Sequence, residues 1–286
     1  MKWLELTVRV PSEFVEPISY LFNRYGRGFS IEDEGGTQAV LRTYVTSNSK
    51  QRLAHIDVGV KLVGALMPIE PLRILEIDDV DWRNRWKEHF TILRVGHRIV
   101  VKPPWLDHKI SPEDLVIELD PGMAFGTGHH PTTRLCLEEL ERLVGCGNSV
   151  LDLGVGSGIL SIASARLGSK LVVGLDLDPI AVKVARRSFK LNGVLSAVKA
   201  YTGTLPQPCA MPYTFDVAVA NISSKAVLAN LSELNKCLKT GGFLIASGFL
   251  QEQVDEFLSG ALGNGLTLTT TRHLQDWAAL VFQKGQ

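Results

Sequence analysis

The chain has little of what staples, anchors or strongly charges a protein. Its four cysteines, Cys136, Cys146, Cys209 and Cys237, lie far apart with no C-x-x-C pair. That argues against a disulfide or zinc framework and for reduced thiols. No stretch approaches the ~18 uncharged apolar residues of a membrane-spanning helix. Lys plus Arg number 30 and Asp plus Glu number 30, so no overall basic field points to nucleic acid. The first residues hold no apolar leader core; Trp3-Leu-Glu-Leu-Thr-Val-Arg-Val10 alternates like a strand, and the expectation is a cytoplasmic protein. Internal repeats and low-complexity segments are missing as well. What remains is 286 residues with 45% hydrophobic content, enough for one large or two modest globular domains.

The pattern along the chain divides it. Residues 3–10 predict a strand, and Ser12 to Tyr25 a helix burying Val15, Ile18, Leu21 and Phe22, with its regular part starting late because of Pro17. Strands at Gly28–Glu32 and Gln38–Val45 flank the acidic turn Asp33-Glu34-Gly35-Gly36. A helical stretch near 50–66 and a strand at Leu72–Ile77 follow. The order β-α-β-β-α-β predicts a small ferredoxin-like α+β domain over residues 1–77. Residues 78–95 read as a linker helix, in which Trp82, Trp86 and Phe90 share one face. That face either docks on both domains or forms an aromatic patch beside a site. Arg98–Lys102 and Leu115–Leu119 predict hairpin-like strands. From Pro131 onward helices and strands alternate, so residues 96–286 predict a doubly wound, Rossmann-like α/β domain.

The most informative stretch is Val150-Leu-Asp-Leu-Gly-Val-Gly-Ser-Gly158. It reads as a buried strand breaking into a glycine turn that opens a helix. Gly154, Gly156 and Gly158 let backbone approach a ligand. The next strand, Leu171–Leu175, ends in Asp176, a carboxylate placed for ribose hydroxyls. A dinucleotide fingerprint would need glycine where Ile159 stands, and Asp152 would repel a pyrophosphate at this turn. A ligand with an ammonium and a ribose but no phosphate suits Asp152 and Asp176 together, which implies S-adenosyl-L-methionine. The competing reading is a plain structural turn.

Two further segments carry chemistry. In Asp120-Pro-Gly-Met-Ala-Phe-Gly-Thr-Gly-His-His-Pro-Thr-Thr133 the helix is expected to start at Pro131, with Thr132 and Thr133 in its first turn. A hydroxyl and free N–H groups there can meet the polar end of a ligand. The competing reading is a loop that merely enters a helix. His129 and His130 are adjacent, so their side chains diverge, and no third ligand sits at a recognisable spacing; no metal is expected. Phe215-Asp-Val-Ala-Val-Ala-Asn221 predicts a buried strand that delivers Asn221 to the ligand crevice, unless Asn221 only caps the next helix.

These three segments together resemble the ribosomal protein L-eleven lysine methyltransferase family (PrmA), and the 120–133 segment is the most specific of them. The resemblance spans most of the chain. It implies a class I methyltransferase domain behind the small N-terminal domain, with cofactor contacts at Thr133, Gly154, Asp176 and Asn221. Gly156 and Gly158 belong to the same turn. By position, Phe125 is expected to wall a methyl-transfer pocket and Asp152 to meet the methionine ammonium. Asn221 is expected to orient the accepting amine. The implied partner is a ribosomal protein, with no membrane or direct nucleic-acid contact and a monomer favoured. An RNA-base or small-molecule methyltransferase, and a non-catalytic cofactor-binding module, are the alternatives.

Overall fold

The computed structural model describes residues 2–26, 28–33, 38–66, 69–78, 91–107, 109, 111–120, 128, 130–261 and 263–285. The chain divides into two compact units, Met1–Thr91 and Ile92–Gln286. In the first, β1 (Lys2–Pro11) alternates and turns Leu6, Val8 and Val10 inward. It pairs antiparallel with both β3 (Gln38–Thr46) and β4 (Arg73–Asp78), and β2 (Phe29–Asp33) completes the order β2-β3-β1-β4. Helices Val15–Tyr25 and Lys50–Leu66 contribute Ile18, Phe22, Ile56 and Val60 to the shared core. Connection order and sheet order together make the ferredoxin-like arrangement. A 3-10 turn, Ser12–Phe14, precedes the first helix, which places Pro17 in the opening turn where its missing N–H has no intrahelical partner to lose. The turn residues 34–36 and the aromatic trio Trp82, Trp86 and Phe90 lie outside the described residues.

The second unit is built on a seven-stranded sheet in the order β10-β9-β8-β11-β12-β14-β13. The strands are β8 (Ser149–Leu153), β9 (Leu171–Asp176), β10 (Val198–Thr202), β11 (Phe215–Asn221), β12 (Leu238–Leu250), β13 (Leu266–Leu274) and β14 (Trp277–Lys284). The first five run parallel, and β14 enters antiparallel between β12 and β13. Every residue of β8 is buried, because both faces of the sheet are covered. Helices Pro131–Leu143, Ile159–Arg166 and Pro179–Leu191 pack on one face through Leu137, Ile162 and Phe189; Ser224–Cys237 and Val254–Ala261 pack on the other through Leu231 and Phe257. The chain winds outward from β8 to β10, then returns to β11 and winds the other way. The reversal leaves a crevice at the carboxyl ends of β8 and β11, the place where doubly wound sheets bind ligands.

A smaller sheet of β5 (Leu93–Val95), β6 (Ile99–Lys102) and β7 (Leu115–Glu118) precedes this one. Here the structure corrects the sequence reading. The strands expected as a hairpin, β6 and β7, run parallel, and the hairpin is β5 with β6. The 103–114 connection, which opens with Pro103-Pro104, is of crossover length rather than turn length. Residues 96–98 make the tight turn instead. Gly96 sits there at φ +59°, and Glu141 accepts from the backbone N–H of His97 (2.8 Å) and Arg98 (2.7 Å).

Candidate active site

The glycine turn folds back onto the end of β9: the N–H groups of Gly154 and Val155 both donate to the Leu175 carbonyl, at 2.8 and 2.9 Å. Gly154, Gly156 and Gly158 all hold positive φ, at 89°, 50° and 87°. Sequence reasoning assigned these glycines to ligand approach; the structure gives two of them a packing reason as well. A Cβ on Gly154 would strike the Ile222 side chain, and one on Gly158 would lie 2.6 Å from the Phe189 ring, so the turn is fitted to its own protein walls. Asp176 at the end of β9 ties the turn down. Its Oδ2 accepts from Gly156 N–H at 2.9 Å and its Oδ1 from Asp178 N–H at 3.0 Å. A carboxylate offers about four lone-pair positions, so this half-buried group keeps one free direction per oxygen, enough for a vicinal diol.

On the other side of the crevice stand Thr133 and Asn221. The Pro131–Leu143 helix starts where the sequence placed it, with His130 as N-cap and its Nδ1 facing Thr132 N–H at 3.4 Å and Thr132 Oγ1 at 2.7 Å. Asn221 Nδ2 donates to Thr133 Oγ1 at 3.4 Å, joining the end of β11 to this helix start. The N-cap position of the following helix is Ser223, not Asn221, so Asn221 reaches across the site rather than capping its own helix. Beyond Asn221, Ile222 N–H donates to Ser247 O at 3.1 Å, and Gly248 at φ +98° packs directly on the Ile222 backbone. Thr133, Asn221, Gly154, Gly156 and Asp176 thus form one continuous rim. Gly158 lies just behind it as the N-cap of Ile159–Arg166.

Asp152 occupies a different kind of place. It is wholly buried, its Oδ2 accepts from Ser161 Oγ at 2.6 Å, and among the described residues its Oδ1 has no hydrogen-bond partner. Burial pushes this carboxyl up to about 7; the Ser161 hydrogen bond opposes that rise and the charge of Asp176 adds to it. Phe125 lies outside the described residues, as does His129. Two further neighbours carry no signal in the sequence. Ser161 looks like an ordinary helix residue, and Trp277 opens β14, far along the chain, yet it meets the His130 ring edge-on at 4.5 Å between centroids. Burial lowers the His130 pKa and keeps that ring neutral. A cavity of about 390 Å³ lined by Pro206, Met211, Pro212, Lys236 and Cys237 lies toward the amino end of β11, away from this chemistry.

The donor set suits one kind of ligand. Two carboxylates at one glycine turn, one of them with an unmet buried oxygen, favour a cationic nucleoside over a phosphorylated one. The comparisons with known proteins agree. The family model of ribosomal protein L11 methyltransferase (PrmA) matches residues 2–285. The ribosomal protein L11 methyltransferase of Chloroflexus aurantiacus is 38% identical over 324 residues, covering 99% of this chain and 98% of that protein. That of Geobacter metallireducens is 38% identical over 304 residues, with 99% of each chain covered. Among solved structures, the ribosomal protein L11 methylase of Lactobacillus delbrueckii subsp. bulgaricus superposes with a TM-score of 0.64 at 27% identity, covering 69% of this chain and 100% of that one.

Proposed function

The chain belongs to the ribosomal protein L11 methyltransferase (PrmA) family, and from that premise we propose that it transfers methyl groups from S-adenosylmethionine to lysine amines, and to a terminal amine, of ribosomal protein L11. The observation that carries this reading is the rim itself, which joins a diol-holding carboxylate, a glycine turn and an amide-hydroxyl pair across a topological switch point. S-adenosylmethionine, when bound, supplies a methyl group already activated by its sulfonium. The chain's own residues must therefore bind, orient and keep water out.

Asp176 takes the ribose hydroxyls on its free lone pairs, the Gly154–Gly158 turn lies along the nucleoside, and Thr133 meets the methionine end. Asn221 orients the incoming amine: with its Nδ2 directed at Thr133, its Oδ1 is left to accept from the amine N–H. A lysine amine has a pKa of about 10.4 in water, so it must shed a proton before reacting; desolvation favours that loss. No general base is required of this chain. Residues 1–77 recruit the folded substrate, the expected 78–95 linker gives up Leu93–Val95 to β5 of the second unit, and the enzyme works as a cytoplasmic monomer. Among the described residues no helix is long and apolar enough to cross a membrane.

Incubating the full chain with radiolabelled S-adenosylmethionine, purified ribosomal protein L11 and ribosomal RNA in one mixture tests the reading. Label is expected on lysines of the protein. Label on RNA, or on neither, overturns it.

A further inference from the structure

We propose that Asp152 is the proton switch of the cofactor site: its carboxyl group carries a proton while the site is empty and releases it to water when the cationic cofactor binds. This rests on the S-adenosylmethionine reading above. The argument begins with placement. Asp152 lies opposite Gly174 of β9 and Val219 of β11, two residues short of Asp176 and Asn221 on those strands. At about 3.3 Å per residue it sits roughly 7 Å beneath the rim, centrally under both of its arms.

Its surroundings do not support a charge. The carboxyl is fully buried; Ser161 supplies its donors, the hydroxyl at 2.6 Å and the backbone N–H, and among the described residues Oδ1 meets no hydrogen-bonding group. The ionisable groups that face it are few. Asp176 at the end of β9 raises its pKa. Cys136, on the Pro131–Leu143 helix, is itself pushed upward by burial and remains a thiol. Glu139 on the same helix is a buried carboxylate held by Arg142 at 2.6 Å and facing Arg272 at 3.8 Å. Its cations are engaged there, and the β12 neighbour Ser247 is uncharged. An ionised acid would therefore stand without a cation in a buried site, a state proteins avoid by keeping the proton. With burial pushing its pKa up to about 7, this happens in the physiological range.

Binding reverses the balance. A cation at the rim favours the carboxylate; a charge separation of about 7 Å would lower its pKa by on the order of one to two pH units at an effective dielectric of about 20. The O–H bond of the acid breaks, its electron pair stays on the carboxylate, and the proton passes to solvent. By linkage, affinity for the cofactor then rises with pH by about three- to sevenfold per unit at its steepest below pH 7 and levels off above it.

Titration calorimetry of the full chain with S-adenosylmethionine at pH 6.5, in two buffers of different ionisation enthalpy, counts the released protons. More than roughly half a proton per site is expected, and affinity should climb between pH 5.5 and 7. Asp152→Asn should release almost none and lose the slope. Ser161→Ala removes the donor that holds the carboxyl down, so its slope should move to higher pH; this variant keeps the acid in place if the asparagine variant fails to fold. His130→Asn is the control, since His130 also titrates nearby but from a lowered pKa. Binding without proton release in the unaltered protein, or a slope that persists in Asp152→Asn and vanishes in His130→Asn, overturns the switch and leaves the cofactor reading intact. No binding at any pH overturns both.

Discussion

The two ends of the central sheet treat a carboxylate in opposite ways. At the amino end, where β11 begins, Asp216 accepts from Ser149 N–H (2.8 Å), Ser149 Oγ (2.9 Å) and Lys239 Nζ (2.8 Å). Partial burial would raise its pKa, but these partners win and hold it below the ordinary value. Near the carboxyl end Asp152 has the hydroxyl and backbone N–H of Ser161 and, among the described residues, no cation and an unmet oxygen, and burial wins. The residues stand on adjacent strands of one sheet, so the contrast comes from partners and not from the fold. A satisfied carboxylate locks strand starts together. An unsatisfied one stores a preference that a ligand can change.

The sharpest break of that comparison is the acid response of the cofactor-free chain. Asp152, with its raised pKa, contributes stability that is fully present below about pH 4 and is lost as pH rises through about 7. Asp216, with its lowered pKa, contributes stability present above about pH 4 and lost as pH falls through its folded value. Asp152→Asn should therefore stabilise the cofactor-free protein at pH 8 relative to pH 5, by at most about 3 kcal/mol on linkage grounds. Urea melts at the two pH values check it, and equal effects at both would remove the contrast.

Next in size is Asn221→Ala, expected to lower turnover on the order of 100-fold while cofactor affinity falls much less, because orienting the amine matters in the transition state. Equal losses in both would make Asn221 a cofactor contact alone. Asp176→Ala removes the acceptor for two hydroxyls; hydrogen bonds to a charged group are worth roughly 1.5–3 kcal/mol, so calorimetry should show affinity down at least about tenfold with the fold retained. The smallest effect belongs to the satisfied end. Asp216→Asn should cost about 1 kcal/mol of stability, discounted because the Lys239 pair is part-exposed, and leave cofactor affinity unchanged. A loss of affinity there would mean that the two ends are coupled.

What the sequence made legible was chemistry tied to local pattern. The glycine turn, Asp176, the Pro131 helix start and Asn221 are all encoded within a few residues of themselves, through spacing, strand ends and capping. Parallel against antiparallel pairing is different: nothing inside Ile99–Lys102 or Leu115–Glu118 says how they face each other, and only the 103–114 connection between them does. The glycines were read as room for a ligand because Ile222 and Phe189, their actual neighbours, arrive from distant elements. Asp152 was read as a contact for the methionine ammonium, and its burial did not enter that reading because burial is a property of the whole sheet. Its unmet oxygen and its Ser161 partner could not be seen before the helix was laid over the strand.

The position of β14 has a consequence for how the protein is made. β13 has β14 as its one neighbour, and β14 also pairs with β12, so β13 leaves the forming chain before the strand that must separate it from the rest of the sheet. Until β14 slides in, β12 presents an open edge, and an open apolar edge invites wrong pairing. The same late strand brings Trp277 to the His130 ring, at the start of the helix that carries Thr133. Closing the sheet and seating Trp277 against this helix start are thus one event.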